Sequence, residues 1–390
     1  MKGRKIGITI LIFFAIFMIV SNLSVKDEDI KNWNNGNYWI NNPKSAYPVW
    51  ICHLYHKTRD TRLEGEVYVH NYTDQPNDII FYDVKKGTKI TIIRPDGKEI
   101  SFKVNSYKEK LSLNTYAKHI IVSQLNIPPE KAALKTATFL LFSTENFQVL
   151  KGKYIFKVKN GGKIEIKGNC YGLLGTDRYG RDMWVGFVAG MNNTIILTLL
   201  ISGLTLVLGI VLGIISAYVK WFEIILEILT AIPMLPFFIV LVWLFSTQGI
   251  GYSVNVSTVD FVTIFTLITF GRFAKSIRMI TIKERAMEYA KASRALGAGE
   301  FWLIRKHVLK PVLTFSISYA TSLIAKTIAL ISSLGFFGLS PGVNWGSYLI
   351  EAMREGALYG SNWWWIITPV LAIGTLSLGL ALTSENLPES

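Results

Sequence analysis

Few residues of this 390-residue chain have the types and spacing that catalysis demands. Cys52, His53 and His56 crowd together, but the two histidines are three apart and no second cluster supplies the remaining ligands of a zinc site. No metal is expected. No Gly-x4-Gly-Lys-Ser/Thr string occurs, so the chain lacks a phosphate loop and should not hydrolyse ATP by itself. Its apolar stretches also lack the clustered His, Asp or Glu that a membrane enzyme would use. Three strings and one lysine offer chemistry of another kind. In Gly175-Thr176-Asp177-Arg178-Tyr179-Gly180-Arg181-Asp182, Thr176 or Asp177 can cap a short interfacial helix, and Arg181 can pair with the aspartates. Residues 284–296 favour a helix that Gly297 would end. Ala286, Met287, Ala290, Ser293 and Leu296 fall on one face of it, which fits either a membrane surface or a groove on a partner. The string from Ser333 to Ser347 holds Gly335, Gly338, Pro341, Trp345 and Gly346, residues for a sharp turn. Lys326 follows Pro311 by roughly 22 Å of helix, which sets a charge near the middle of a span.

The elements that carry these residues follow from where the apolar residues fall. The chain is 50% hydrophobic and 17% charged, with mean hydropathy +0.33, whereas a soluble domain is about one quarter charged. Apolar stretches at 6–20, 194–219, 224–245, 259–270 with flanks, 312–337 and 363–382 predict six transmembrane helices. The first, preceded by Lys2, Arg4 and Lys5, reads as an uncleaved span, with a cleaved signal peptide as the alternative. Pro233 and Pro236 predict a kink in the third. The formal charge of +14 would suggest nucleic acid in a soluble protein. Here ten Lys/Arg against three Glu in 271–311, and three basic residues at the N-terminus, report topology instead. The positive-inside rule puts both segments and both termini in the cytoplasm, and residues 26–182 outside. No nucleic-acid partner is expected.

Residues 26–174 read as a separate β domain. Runs at 65–72, 79–84, 89–93, 99–104, 119–124, 137–142, 153–158 and 163–167 are alternating, or rich in β-branched and aromatic residues. Pro95-Asp96-Gly97 and Asn160-Gly161-Gly162 are hairpin-type turns between such runs. Eight short strands at this spacing predict an antiparallel sandwich. Cys52 and Cys170 lie near its two ends, where an external compartment permits a disulfide. Residues 26–182 carry 25 Lys/Arg against 17 Asp/Glu, an excess that favours an acidic partner surface.

The string from Gly175 to Asp182, followed by Gly190 and Thr194, resembles the segment that opens the membrane domain of dipeptide/oligopeptide/nickel-type ABC importer permeases. Glu288, Tyr289, Ala290, Ala292, Ser293, Leu296 and Gly297, with His307 to Pro311, resemble the family's "EAA" coupling loop, whose helix fits a cleft on the ATPase subunit. Three departures stand out: Lys291 replaces the acidic first position, Ser293 the second alanine, and Pro311 comes one residue late. Gly335, Gly338, Trp345 and Gly346 are similar to the family's external gate turn, where an ordinary loop is the plainer reading.

The resemblance implies a type I importer permease fold. Residues 1–25 would form the cytoplasmic N-terminus and first helix, and 26–174 an extracytoplasmic β-sandwich-like insertion. Residues 175–390 would form the permease core with a coupling helix at about 284–297. It further implies a plasma-membrane transport subunit, not an enzyme, that binds no cofactor. Its partners would be a second permease, two ATPase subunits that hold ATP and Mg, and an extracytoplasmic binding protein delivering short peptides or oligosaccharides. Lys326 would line the pathway or pair with an acid on the neighbouring permease. The rival reading is a membrane-anchored β-sandwich receptor or adhesion protein.

Overall fold

The computed structural model describes residues 2–40, 42–159, 163–245, 247–248, 254–359 and 362–384. The chain divides into two compact units: a β-rich unit, Lys31–Val185, and a helical unit made of Met1–Ile30 and Gly186–Ser390. The string from Gly175 to Asp182, read above as the start of the membrane core, therefore folds within the β unit.

Eight strands build the β unit: β1 (Thr61–Leu63), β2 (Val67–His70), β3 (Asp78–Val84), β4 (Lys89–Ile93), β5 (Glu99–Lys103), β6 (Lys108–Ser112), β7 (Gly152–Val158) and β8 (Ile164–Lys167). They form two four-stranded sheets, ordered β1-β8-β3-β6 and β2-β7-β4-β5, with every pair antiparallel. Period-two alternation sends Ile90, Ile92, Ile100, Phe102, Tyr154 and Phe156 inward from one sheet. Ile79, Phe81, Ile164 and Ile166 of the other sheet join them in a single core. Gly97 (φ +81°) makes the turn between β4 and β5, its N–H donating to Arg94 O at 3.0 Å. The Asn160-Gly161-Gly162 turn lies outside the described residues. Cys52 and Cys170 are disulfide-bonded, Cα–Cα 6.1 Å. His53 is not poised for a metal: its Nδ1 lies 2.8 Å from Arg59 Nη2.

Two of the expected strands are helices. Residues 119–124 lie in Lys118–Gln124 and 137–142 in or beside Ala137–Leu141. The Ile120-Ile121-Val122 run is β-favouring by composition, but Leu113, Ala117, Ile121 and Leu125 recur every four residues. The first three are fully buried, and Leu125 packs against the same core. The other run is apolar on every side, so its period is silent, and Thr136 starts a helix by accepting the Phe139 N–H at 3.1 Å. β1 and β6 take the two vacant places. Both are edge strands, and β6 buries only Leu111, so neither needs an apolar pattern.

In the helical unit, four helices among the described residues are long and apolar enough to cross a membrane: Gly3–Leu23, Met183–Ser216, Glu300–Phe336 and Trp364–Thr383. The expected third span is not one rod. Lys220–Ala231 and Met234–Val240 meet at 89° around Ile232-Pro233, where the proline ring and missing N–H end the helical ladder. Helix Met234–Phe245 is about 18 Å long at 1.5 Å per residue, too short to cross alone. The expected fourth span is the apolar start of Thr258–Ala286, a 29-residue helix that runs on through Arg272, Lys275, Arg278 and Lys283. Its charge excludes it from the four apolar crossers.

Glycines allow the close helix approaches. A Cβ at Gly7 would lie 2.8 Å from Gly379 O, so Lys2–Leu23 runs backbone-close along Trp364–Ser384. On Met183–Ser216, Gly209 and Gly213 form a Gly-x3-Gly pair. A Cβ at Gly213 would lie 2.7 Å from Ala274 O of Thr258–Ala286.

His70 yields a pH prediction for the β unit. It is buried against Phe142, ring centroids 4.9 Å apart, and its Nε2–H donates to Asp74 O at 2.9 Å. Burial holds the imidazole below its usual pKa, aided by Lys151 and opposed by Asp74. The neutral form is the one the fold favours. Its stabilisation is complete above the unfolded value of about 6.5 and is lost as pH falls through and below it. Thermal unfolding of the full chain between pH 7.5 and 5 should show β-unit stability dropping below about 6.5, and His70→Asn should flatten that slope.

Candidate functional site

The opening motif is a closed clamp. Asp177 is fully buried, and its carboxylate accepts the Tyr179 N–H (2.9 Å), the Arg181 N–H (2.8 Å) and Arg181 Nε (2.7 Å), with Arg181 Nη2 at 2.7 Å. The guanidinium lies over the Trp33 ring at 4.6 Å. Thr176 Oγ1 accepts from Ala46 N (2.9 Å) and donates to Pro43 O (2.6 Å). Gly180 (φ +85°) is glycine for conformation and for space, since a Cβ there would lie 2.7 Å from Trp39 O. The expected cap is corrected. Thr176 and Asp177 start no helix; Asp182 stands before Met183–Ser216 and accepts the Trp184 N–H at 2.9 Å. Asp177 cannot also serve as a cap because Arg181 and the loop N–H groups already occupy its oxygens.

Gly190 and Thr194 meet the third string. Asn344 begins helix Trp345–Arg354 with a capping box, accepting the Gly346 and Ser347 N–H groups at 2.9 and 3.0 Å while Ser347 Oγ accepts its own N–H at 2.8 Å. Thr194 Oγ1 accepts the Trp345 N–H at 3.2 Å, and a Cβ at Gly190 would lie 3.1 Å from Asn344 C. Asn193 Nδ2 donates to Pro341 O at 2.8 Å. Trp345 is fully buried, stacked on Phe187 (6.1 Å) and edge-on to Phe14 (6.1 Å). Gly346 would put a Cβ 2.7 Å from Phe336 N, and Gly335 would put one 2.8 Å from Asn344 Nδ2. Gly338 (φ +73°) has open space around it and is needed for its backbone alone. The turn and the second apolar helix are thus one packed node. The pivotal Asn344 was not singled out above, although Asn-x-x-Ser ahead of a helix is a capping signature.

The loop helix is shorter than expected. Met287 is extended (φ −67°, ψ 150°) and breaks the chain, so residues 284–286 end Thr258–Ala286 and a separate helix runs Glu288–Ala295. Gly297 (φ +89°) ends it, with Gly297 N–H to Arg294 O and Ala298 N–H to Ser293 O at 2.9 and 3.0 Å. Of the expected apolar face only Ala290 is buried; Leu296 is 89% exposed. Ala292 and Tyr289 are exposed as well. Leu296, Gly297 and Trp302 line a shallow pocket of about 450 Å³ with Ser293, Ala298 and Gly299, and Phe301 beside it is 80% exposed. An apolar protrusion of this kind marks a contact surface.

Three charges that sequence reasoning missed tie this helix down. Arg294 Nε donates to Glu300 (2.8 Å) and its Nη1 to Arg285 O (3.1 Å). Arg285 also pairs with Glu300 at 3.6 Å, lies over the Tyr218 ring at 3.7 Å and donates to Ala217 O at 2.9 Å. The loop helix is thereby bonded to Arg285 at the end of Thr258–Ala286 and to Glu300, and through Arg285 to Ala217 just after Met183–Ser216. Lys326 sits on the exposed side of Leu309–Phe336 and makes no ion pair among the described residues. It does not face the interior of its own unit.

Residues 205–386 match the family described as the binding-protein-dependent transport system inner membrane component. The matched stretch of the helical unit is thus similar to the inner membrane component of an ABC importer, and the relatives are named as peptide permeases. A putative peptide transport system permease of Brucella suis is 26% identical over 220 residues, 55% of this chain and 71% of the relative. The oligopeptide transport system permease protein AmiD of Streptococcus pneumoniae is 23% identical over 239 residues, 60% of this chain and 75% of the relative. A putative peptide permease of Brucella ovis is 28% identical over 221 residues, 53% of this chain and 70% of the relative. The family match covers no part of the β unit, so the clamp and the sandwich lie beyond the matched core.

The clamp makes the Asp177–Arg181 pair the most sensitive polar site of the β unit. Asp177→Ala should destabilise that unit by about 3–5 kcal/mol, the cost of breaking a buried ion pair. Thermal unfolding should register this as an early transition of the β unit, with Asp177→Asn intermediate.

Proposed function

We propose that this permease is one membrane half of an ATP-driven importer of short peptides. It pairs with a second permease and two ATPase subunits, and an extracytoplasmic binding protein supplies the cargo. The observation that carries the reading is the family match combined with a loop helix whose following segment presents Leu296, Phe301 and Trp302 outward while Arg294, Glu300 and Arg285 tie it to its neighbouring helices. In this reading the Glu288–Ala295 helix docks on an ATPase, and the Arg285–Glu300–Arg294 network passes ATPase motion to the spans as rigid-body displacement. The loop lies in the cytoplasm with both termini, and the β unit lies outside, following the basic residues of 271–311. Short peptides are favoured because the relatives above are named as peptide systems; an oligosaccharide would emerge from the same ligand identification. A display or adhesion role would need a single span and leaves the loop helix without use.

Ala292 is exposed, so Ala292→Asp should leave insertion and fold intact while placing a charge in the docking face. Combined with Gly297→Pro, it should abolish co-purification of the ATPases and lower binding-protein-stimulated hydrolysis at least about ten-fold, a loss of about 1.4 kcal/mol or more of coupling. Retained co-purification with normal stimulation would overturn the docking role.

Lys326 stands on an outward helix flank at membrane depth, where a charge is tolerated only against water or an opposite charge. As a pathway residue it attracts carboxylate or carbonyl groups of the cargo; as a structural residue it pairs with an acid on the second permease. Lys326→Met should slow uptake by the assembled complex without changing its subunit composition in the first case, and loosen the permease pair in the second.

A further inference from the structure

The β unit concentrates lysine at one end. Asn77, just before β3, donates to Lys44 O, and Gly168 N–H, just after β8, bonds Asp60. Residues 43–60 and 168–182 therefore sit at the end where β3 begins and β8 finishes, and chain entry and exit converge there through Trp33 and Arg181. β3 then runs for seven residues, about 23 Å at roughly 3.3 Å each, to the opposite end. There Lys85 and Lys86 occupy the turn into β4, with Gly87 N–H on Val104 O at 2.8 Å.

Across the same end of the second sheet three lysines stand abreast. Lys89 of β4 is registered directly against Lys103 of β5, and on its other side Lys159 N–H donates to Lys89 O at 3.2 Å. Ile90 and Val158, the next pair, point into the core, so these lysines share the outer face. Lys157 occupies the next outward position, opposite Thr91. All six are exposed, and among the described residues none is in an ion pair. The acids at this end are fewer: Glu64, Glu66, Asp83 and Glu109. Like charges side by side on neighbouring strands destabilise a sheet, and among the described residues no ion pair offsets them. Beside the lysine rows the same face carries an apolar row, Val67 of β2, Ile155 of β7 and Ile93 of β4, in continuous register, with Val67 45% exposed.

We infer that this lysine-flanked apolar face of the β unit is the docking surface for an acidic extracytoplasmic partner, the binding protein that delivers cargo to the permease. The inference rests on the importer reading and adds to it a site outside the family's matched core. An apolar row bordered by lysines and ending on β5 at Glu99 fits a protein contact better than a polymer or headgroup site. Six unneutralised lysines would steer an acidic partner and make capture fall with salt.

The test uses the whole transporter complex in nanodiscs of neutral lipid. The probe is the binding protein that stimulates its ATP hydrolysis. Lys89→Glu/Lys103→Glu/Lys159→Glu should weaken binding at least ten-fold at low salt and flatten the salt dependence, with the Gln triple variant intermediate. Lys118→Glu/Lys131→Glu, on the helices of the same unit, should change neither. Val67→Ser/Ile155→Ser should weaken binding without altering its salt slope. Unchanged affinity in the Glu triple variant would overturn the inference, as would loss of binding to phosphatidylglycerol vesicles alone, which would assign the face to lipid. Failure of the importer reading looks different: the wild-type complex itself would show no stimulated hydrolysis and no uptake.

Discussion

Backbone meeting backbone is the constraint on which the helical unit depends. Between apolar helices in lipid there is little hydrophobic gain from association, so contact area and hydrogen bonds must hold them. Here the contact is won by leaving side chains out. Gly7 lies against Gly379, Gly213 against Ala274 O, and Gly190 and Gly346 admit the turn around Asn344 and Phe336. Once those backbones touch, Asn344 can cap its helix and Trp345 can fill the space beside Phe187 and Phe14. A Cβ at any of these places would wedge the helices apart, and the hydrogen bonds of Thr194 and Asn193 to the turn would be lost with them.

The same logic separates rigid from movable parts. The node around Trp345 is packed from several helices and contains few polar alternatives. The loop helix is held differently, by Arg294, Glu300 and Arg285 at half-exposed positions, with one alanine as its only fully buried side chain. Charge pairs at such positions are individually modest, but here they join three helix ends in one network.

The β unit shows a second economy. Its sandwich core is apolar and conventional, while its two ends are specialised. One end is closed by the Asp177–Arg181 clamp and the Cys52–Cys170 bond; the other gathers lysines that make no ion pair among the described residues. The disulfide and the buried ion pair both lie where the chain enters and leaves.

Several apolar helices and the β character of the insertion were legible in the sequence, because composition and period report burial directly. The 137–142 run was misread because it is apolar on all sides and has no period, and β1 and β6 were invisible because an edge strand buries too little to leave a pattern. Local propensity at 119–124 favoured a strand, and the four-residue recurrence from Leu113 to Leu125 overruled it once a core was present. Tertiary structure alone decided that Pro233 breaks a span by 89°, that Asp177 is held by Arg181 and leaves the cap to Asp182, and that Lys326 faces outward. It also brought Thr194 to Trp345 and Lys89 between Lys103 and Lys159. Sequence fixes which surfaces must be buried; which residues then compete for the same atoms or share the same face depends on contacts between distant segments, and those exist only in the folded chain.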